Sequence, residues 1–143
     1  MVANRTTSVS ADKTVNEIQQ MLAGAKAAST MIDYVDGKPE AIAFRLISHE
    51  QEIAFRLPSN WRGIIAAMRK DRKIPNRLIN EEQARRVAWR VVRDWLRAQL
   101  TMIEAGHASL EEVMLPWAIT NDGQTVAQKM YGPNGYLRID QKK

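Results

Sequence analysis

Arginine is the residue whose number and spacing in this chain point to chemistry. In the run from Asn80 to Glu104, Arg86, Arg90, Arg93 and Arg97 recur at intervals of three and four, with Arg85 and Trp89 beside them. On a helix that spacing stacks side chains on one face. A guanidinium is planar, permanently charged and able to donate two parallel hydrogen bonds, which suits it to phosphate. A second basic group comes earlier, in Arg69, Lys70, Arg72, Lys73 and Arg77. Between Ser59 and Arg97 eleven basic residues stand against four acidic ones, so this stretch carries +7 in a chain whose net charge is +5. Such clustering is the usual footprint of a polyanion partner, although many solvated helices share it. Trp61 and Trp89 lie in the same stretch. Trp89 falls off the main apolar stripe of its helix, so it is the candidate to stack on a base, against the plainer reading of an aromatic packed at a helix edge. Pairing of Glu82 with Arg86 and of Arg90 with Asp94 would occupy two arginines and leave Arg93 and Arg97 in excess. The reading expects something negative to meet that excess.

Other chemistry is sparse. With no cysteine there is no thiolate nucleophile, disulfide or cysteine-ligated zinc. His49 and His107 are the two histidines, one in an expected hairpin loop and one just past a helix end, and neither belongs to a catalytic constellation. His49-Glu50-Gln51-Glu52 shares the opening of a metalloprotease helix but lacks the second histidine at the required spacing. Asp33, Asp36 and Glu40 form a strand-end acidic cluster of a kind common without metal. No Gly-rich phosphate loop or dinucleotide fingerprint is present. These absences point to a binding protein rather than an enzyme, with no cofactor and no metal. No apolar run is long enough to cross a bilayer and the start is unlike a signal peptide, so no membrane partner is expected.

The elements that would position the arginines follow from periodicity. Residues 1–13 are polar and rich in Ser and Thr, and read as a flexible lead-in to a single domain over 14–143. Thr14 to Lys26 reads as a helix with Val15, Ile18, Met21 and Leu22 on one face and Thr14 with Glu17 as a capping box. Ser29 to Val35 reads as a strand stopped by Asp36-Gly37. Ile42-Ala43-Phe44-Arg45-Leu46 then recurs as Ile53-Ala54-Phe55-Arg56-Leu57, which predicts an antiparallel hairpin about Ser48 to Gln51. Its apolar set would face the core, and Arg45 and Arg56 would sit on a flat alanine floor as a secondary basic surface. Ser59 or Asn60 caps a short helix to about Arg69, and the loop from Lys70 to Asn76 is the segment expected to be most flexible.

The long helix from Asn80, opened by a capping box with Gln83, would bury a stripe of Ala84, Ala88, Val91, Trp95, Ala98 and Met102, flanked by Val87, Val92 and Ile103, and end at Gly106. Short helices follow, one capped by Ser109 and Glu112, with a tail ending in Lys142-Lys143. The fold class is therefore α+β: a three-stranded antiparallel sheet, in α-β-β-β-α-α order, packed on a long amphipathic helix. Double-stranded-RNA-binding domains share this element order, and order alone is a weak warrant for function.

The run Ala88-Trp89-Arg90, Asp94-Trp95, Ala98-Gln99, Ile103-Glu104, Glu112-Val113 and Leu115-Pro116-Trp117, with the string Phe55 to Pro58, resembles a family of small proteins carried by bacteriophages and prophages. The resemblance covers about Thr14 to Tyr131 and implies a mobile-element setting, hence the cytoplasm of a bacterial host, with no assigned activity or site residues. The leading expectation is a phage-type protein binding DNA or RNA in replication, recombination or genome maintenance. Arg86, Arg90, Arg93 and Arg97 would supply charge, the Lys70 to Arg77 loop reach, and Trp89 a stacking face. Two other readings stay open: an inhibitor or accessory factor that binds a host protein or ribonucleoprotein, as an anti-CRISPR or other anti-defence protein does, and a homo-oligomeric structural component.

Overall fold

The computed structural model describes residues 1–137; the Lys142-Lys143 end of the tail lies outside them. The order is α1 (Ala11–Gly24), β1 (Ser29–Val35), β2 (Lys38–Ser48), β3 (Gln51–Pro58), α2 (Trp61–Lys70), α3 (Glu81–Glu104), α4 (Leu110–Met114) and α5 (Val126–Tyr131), with 3-10 turns at Asn76–Leu78 and Leu115–Trp117. The three strands form one antiparallel sheet in the order β1-β2-β3. This is the α+β arrangement that the sequence pattern predicts.

The echoed pentapeptides pair across the hairpin. Ile42 lies opposite Leu57, Phe44 opposite Phe55 and Leu46 opposite Ile53, with the two phenylalanine rings stacked at 5.1 Å. Ile42, Phe44, Leu46, Phe55 and Leu57 are buried and Ile53 partly so, which places the repeat on the inner face of the sheet. Both hairpins turn through two residues at positive φ, the geometry whose twist matches that of paired strands. Asp36-Gly37 does this with a residue pair suited to it. His49 (φ 51°) and Glu50 (φ 66°) do it with side chains that crowd the left-handed region.

Helix α3 is gripped from two sides. Trp89, Val92, Leu96, Leu100 and Ile103 face the main core with α1 and the sheet, whereas Ala84, Val87 and Val91 face a smaller cluster with Ile65 and Met68 of α2 and with Ile74 and Val2. The single stripe drawn from the sequence is thereby corrected. Its upper half is buried, but Ala98 and Met102 are exposed, and Trp89 is central to the core. Two partners require two apolar rows, and one row was drawn between them. At the far end Gly106 (φ 84°) takes the left-handed position, and His107 N donates to Met102 O while Gly106 N donates to Ile103 O, closing the helix as a Schellman motif.

Two capping boxes from the sequence are rearranged. Asn80 accepts from Gln83 N as predicted, but the Gln83 amide donates to the carbonyls of Arg5 (3.1 Å) and Thr7 (2.9 Å) instead of returning to the cap. Residues 1–13 are therefore docked and not a free lead-in: Val2 is buried beside α2, and Asn4 donates to Asp94. Helix α1 starts earlier than predicted, capped by Ser10, because Thr14 and Glu17 face α3 rather than their own helix end. The Ser109–Glu112 box forms as predicted, and Thr125–Gln128 makes another ahead of α5.

The strained turn gives a direct test. Replacing His49-Glu50 by Asn-Gly is expected to raise the free energy of unfolding by about 1 kcal/mol, since both positions then tolerate positive φ. Urea melts of the two proteins measure it.

Candidate nucleic-acid interface

The arginine row of α3 has most of its charge spent inside the molecule. Arg86 pairs with Glu82 at 2.7 Å, as helical spacing predicts, and also donates to Gln83. Arg90 does not pair with Asp94; it reaches Thr14 and Glu17 of α1, the latter at 3.1 Å. Arg93 meets Glu17 at 3.5 Å and Asp94 at 2.9 Å. Both Arg90 and Arg93 keep only 13% of their side chains exposed, and Arg93 Nε is buried without a hydrogen-bond partner. Of the two arginines expected in excess, Arg93 is thus met by its neighbour Asp94 and by Glu17 of α1, which it shares with Arg90. Arg97 remains exposed, with no carboxylate partner among the described residues.

Trp89 cannot serve as a stacking platform. It is fully buried and its Nε1 donates to Pro39 O at 3.3 Å. The neighbouring Arg85 is 8% exposed and holds Glu81 (3.0 Å) and Glu40 (3.1 Å) while its guanidinium lies 4.5 Å over the Trp61 ring. Arg62 covers the same ring, also at 4.5 Å, and pairs with Glu40 at 2.7 Å. Trp61 completes the knot by donating Nε1 to Glu40. Burial pushes the Glu40 carboxyl upward, but the hydrogen bonds and charges of Arg62 and Arg85 outweigh it, so its pKa lies below the ordinary glutamate value.

The secondary basic surface on the sheet is likewise balanced. Arg45 is held by Glu52 (3.1 Å) and Ser29, and Arg56 by Asp33 (3.0 Å). The alternation in the sequence placed both arginines on the outer face correctly, but cross-strand register brings a carboxylate to each.

A cluster of basic residues without carboxylate partners lies at the end of α2 and in the loop beyond it. Arg69, Lys70, Arg72, Lys73 and Arg77 are all exposed, and none has a carboxylate partner among the described residues. The one acid there, Asp71, turns its carboxylate to the Lys73 N–H at 3.0 Å. The loop is anchored rather than loose, because Ile74 is buried in the smaller core cluster and its N–H donates to Asp71 O. The docked N-terminus joins this surface. Arg5 with Lys70, Arg72 and Lys73 lines an open cleft of about 540 Å³. Sequence reasoning misses Arg5 because residues 1–13 read as free, and Gln83, which holds them, reads as a capping-box residue.

On the exposed side of α2, Arg62, Ala66 and Arg69 form one row and Gly63, Ala67 and Lys70 the next, so small residues separate the cations. Among the described residues no group of three His, Asp or Glu is placed to hold a metal ion, and no helix is long and apolar enough to cross a membrane. No family model, curated protein or solved structure matches this chain.

Two outcomes test this charge map. Glu17→Ala leaves two largely buried guanidiniums without their shared partner and is expected to cost about 2 kcal/mol, less than a fully buried pair because Glu17 itself keeps part of its side chain in water. Arg97→Gln, with no pair to lose, should change stability by less than about 0.5 kcal/mol in the same urea melts. Because the Glu40 pKa is lowered on folding, its stabilising share is present at neutral pH and is lost as pH falls below the ordinary glutamate range through its folded value. Acid titration of unfolding should therefore show a shallower loss of stability in Glu40→Gln than in the parent.

Proposed function

We propose that this chain binds nucleic acid through phosphate contacts made by the basic end of α2, the loop through Arg77 and Arg5 of the docked N-terminus. The observation that carries this reading is a contrast. Arg86, Arg90 and Arg93 each have a carboxylate within the molecule, whereas Arg69, Lys70, Arg72, Lys73 and Arg77 are exposed and have none among the described residues. Unneutralised cations held on an anchored loop keep their full field toward solvent, and a polyanion gains most from them by releasing condensed counterions. Of the two basic groups that the sequence suggested, this reading keeps the one at the end of α2 and sets aside the face of α3. The wider setting we infer, phage replication, recombination or genome maintenance in a bacterial cell, rests on the resemblance of Val87 to Trp117 to small phage proteins.

Fluorescence anisotropy with labelled single-stranded and duplex DNA across a salt series tests the reading. Affinity is expected to fall linearly on a log–log plot, with a slope near −0.7 to −0.9 for each phosphate engaged. Reversing Lys70, Arg72 and Lys73 to Glu should abolish binding at moderate salt, while Arg45→Glu should alter it less than about threefold, since that arginine is already paired. Binding that is flat with salt, or absent at low salt, overturns the proposal.

A further inference from the structure

We propose that the groove between the start of α2, the middle of α3 and the Leu115–Trp117 turn receives an unpaired base of a single strand. This rests on the nucleic-acid reading above and narrows it to single strands. The groove holds about 500 Å³ and is walled by Leu57, Pro58, Val91, Val92, Trp95 and Trp117. Trp95 and Trp117 meet edge to face, with ring centroids 5.0 Å apart and planes at 63°, so together they form a corner. Both are half-buried. Of the four tryptophans, Trp89 is sealed in the core and Trp61 lies beneath two guanidiniums, which leaves Trp95 and Trp117 as the indole surfaces open to a ligand.

Three features select a base with its phosphate over a plain apolar group. First, the groove rim carries a cation: Arg62 lines it beside Glu40, whose carboxylate is shared between Arg62 and the buried Arg85. Arg62 is 67% exposed, and only its Nη1 is committed to Glu40. Second, Arg62 lies on the same face of α2 as Arg69, seven residues or about 10 Å along the axis. A strand with one base in the groove would therefore carry its neighbouring phosphates toward the unpaired cations. Third, Asn60 lines the groove with a polar edge. It sits at φ 53° and, unlike Asn80 and Ser109, makes no side-chain capping bond to its helix. Its amide lies against Gly63, where a Cβ would come within 2.7 Å of Nδ2. An amide donor and acceptor thus line the same groove as an aromatic corner, the combination that binds a flat heterocycle by stacking and by its edge. Bases stacked in a duplex cannot enter such a groove without leaving their partners.

The experiment compares three labelled probes on the full chain at one salt concentration: a twelve-residue oligothymidine, a strand of equal length with abasic sites throughout, and a blunt duplex. The oligothymidine is expected to bind about tenfold more tightly than the abasic strand, although both present the same phosphates. It should also quench tryptophan emission, which the abasic strand should not. Trp117→Leu, which keeps apolar volume but removes the flat ring, and Asn60→Ala at the exposed rim should each shrink the difference between strands while leaving the salt slope unchanged. Equal affinity for the two strands with a steep salt slope overturns the base pocket and leaves phosphate binding standing. A duplex bound more tightly than oligothymidine also overturns it, and failure of all three probes to bind removes both proposals together.

Discussion

Glu17 between Arg90 and Arg93 is the contact on which the helical layer depends. Helix α3 must bury one apolar row against α1 and the sheet and another against α2, and its basic row runs between them. Two guanidiniums at 13% exposure are tolerable there only if a carboxylate reaches them, since desolvated charge without a partner costs several kcal/mol. One Glu on α1 serves both. A pair of this kind adds little net stability relative to apolar replacements, but it discriminates among arrangements, because sliding α1 by one turn would strand Arg90 and leave Arg93 with Asp94 alone. Thr14, buried and accepting from Arg90 one turn earlier, reinforces the same register.

A second polar knot does the corresponding task on the other side. Glu40 leaves β2 toward α2 and α3 and accepts from Arg62, Arg85 and Trp61, while Trp89 and Arg85 both reach the Pro39 carbonyl. The strand, both helices and two tryptophans are tied at one point. These bonds satisfy polar groups that packing would otherwise leave buried and unpaired. The start of α2 lies beside this knot and is irregular: Asn60, two residues past Pro58 of β3, sits at φ 53° and makes no side-chain capping bond.

Much of this fold was legible in the sequence because it is written in short-range signals. The echoed pentapeptides, Asp36-Gly37, Asn80, Gly106 and the Ser109–Glu112 box each specify an element within a few residues of themselves, and each is where it was predicted. The errors share one cause. Thr14 and Glu17 satisfy a capping-box pattern, and Gln83 satisfies half of another, yet their side chains are taken by partners up to 78 residues distant. Local pattern cannot tell a cap from an interhelical contact when the same residue types serve both. Trp89 departs from expectation for a related reason, since the periodicity of α3 predicts one apolar row and the fold uses two. The charge on α3 was counted correctly, and its destination was not.

That distinction decides how a basic cluster should be weighed. Eleven cations in a short stretch look alike in a sequence, but they divide by what the fold brings within 4 Å. Arg85, Arg86, Arg90 and Arg93 meet carboxylates at 2.7–3.5 Å and lose most of their external field. Arg69, Lys70, Arg72, Lys73 and Arg77 extend from the end of α2 and the segment beyond it, where the one acid, Asp71, is turned to the backbone. An ion pair already formed must be broken before phosphate can replace its carboxylate, so those arginines offer a polyanion little net gain. A cation that faces only water exchanges one weak set of contacts for a strong one and frees a counterion as it does so. The surface with the fewer arginines is therefore the one we propose as the anion site, and the helix with the more conspicuous row is the frame that holds it in place.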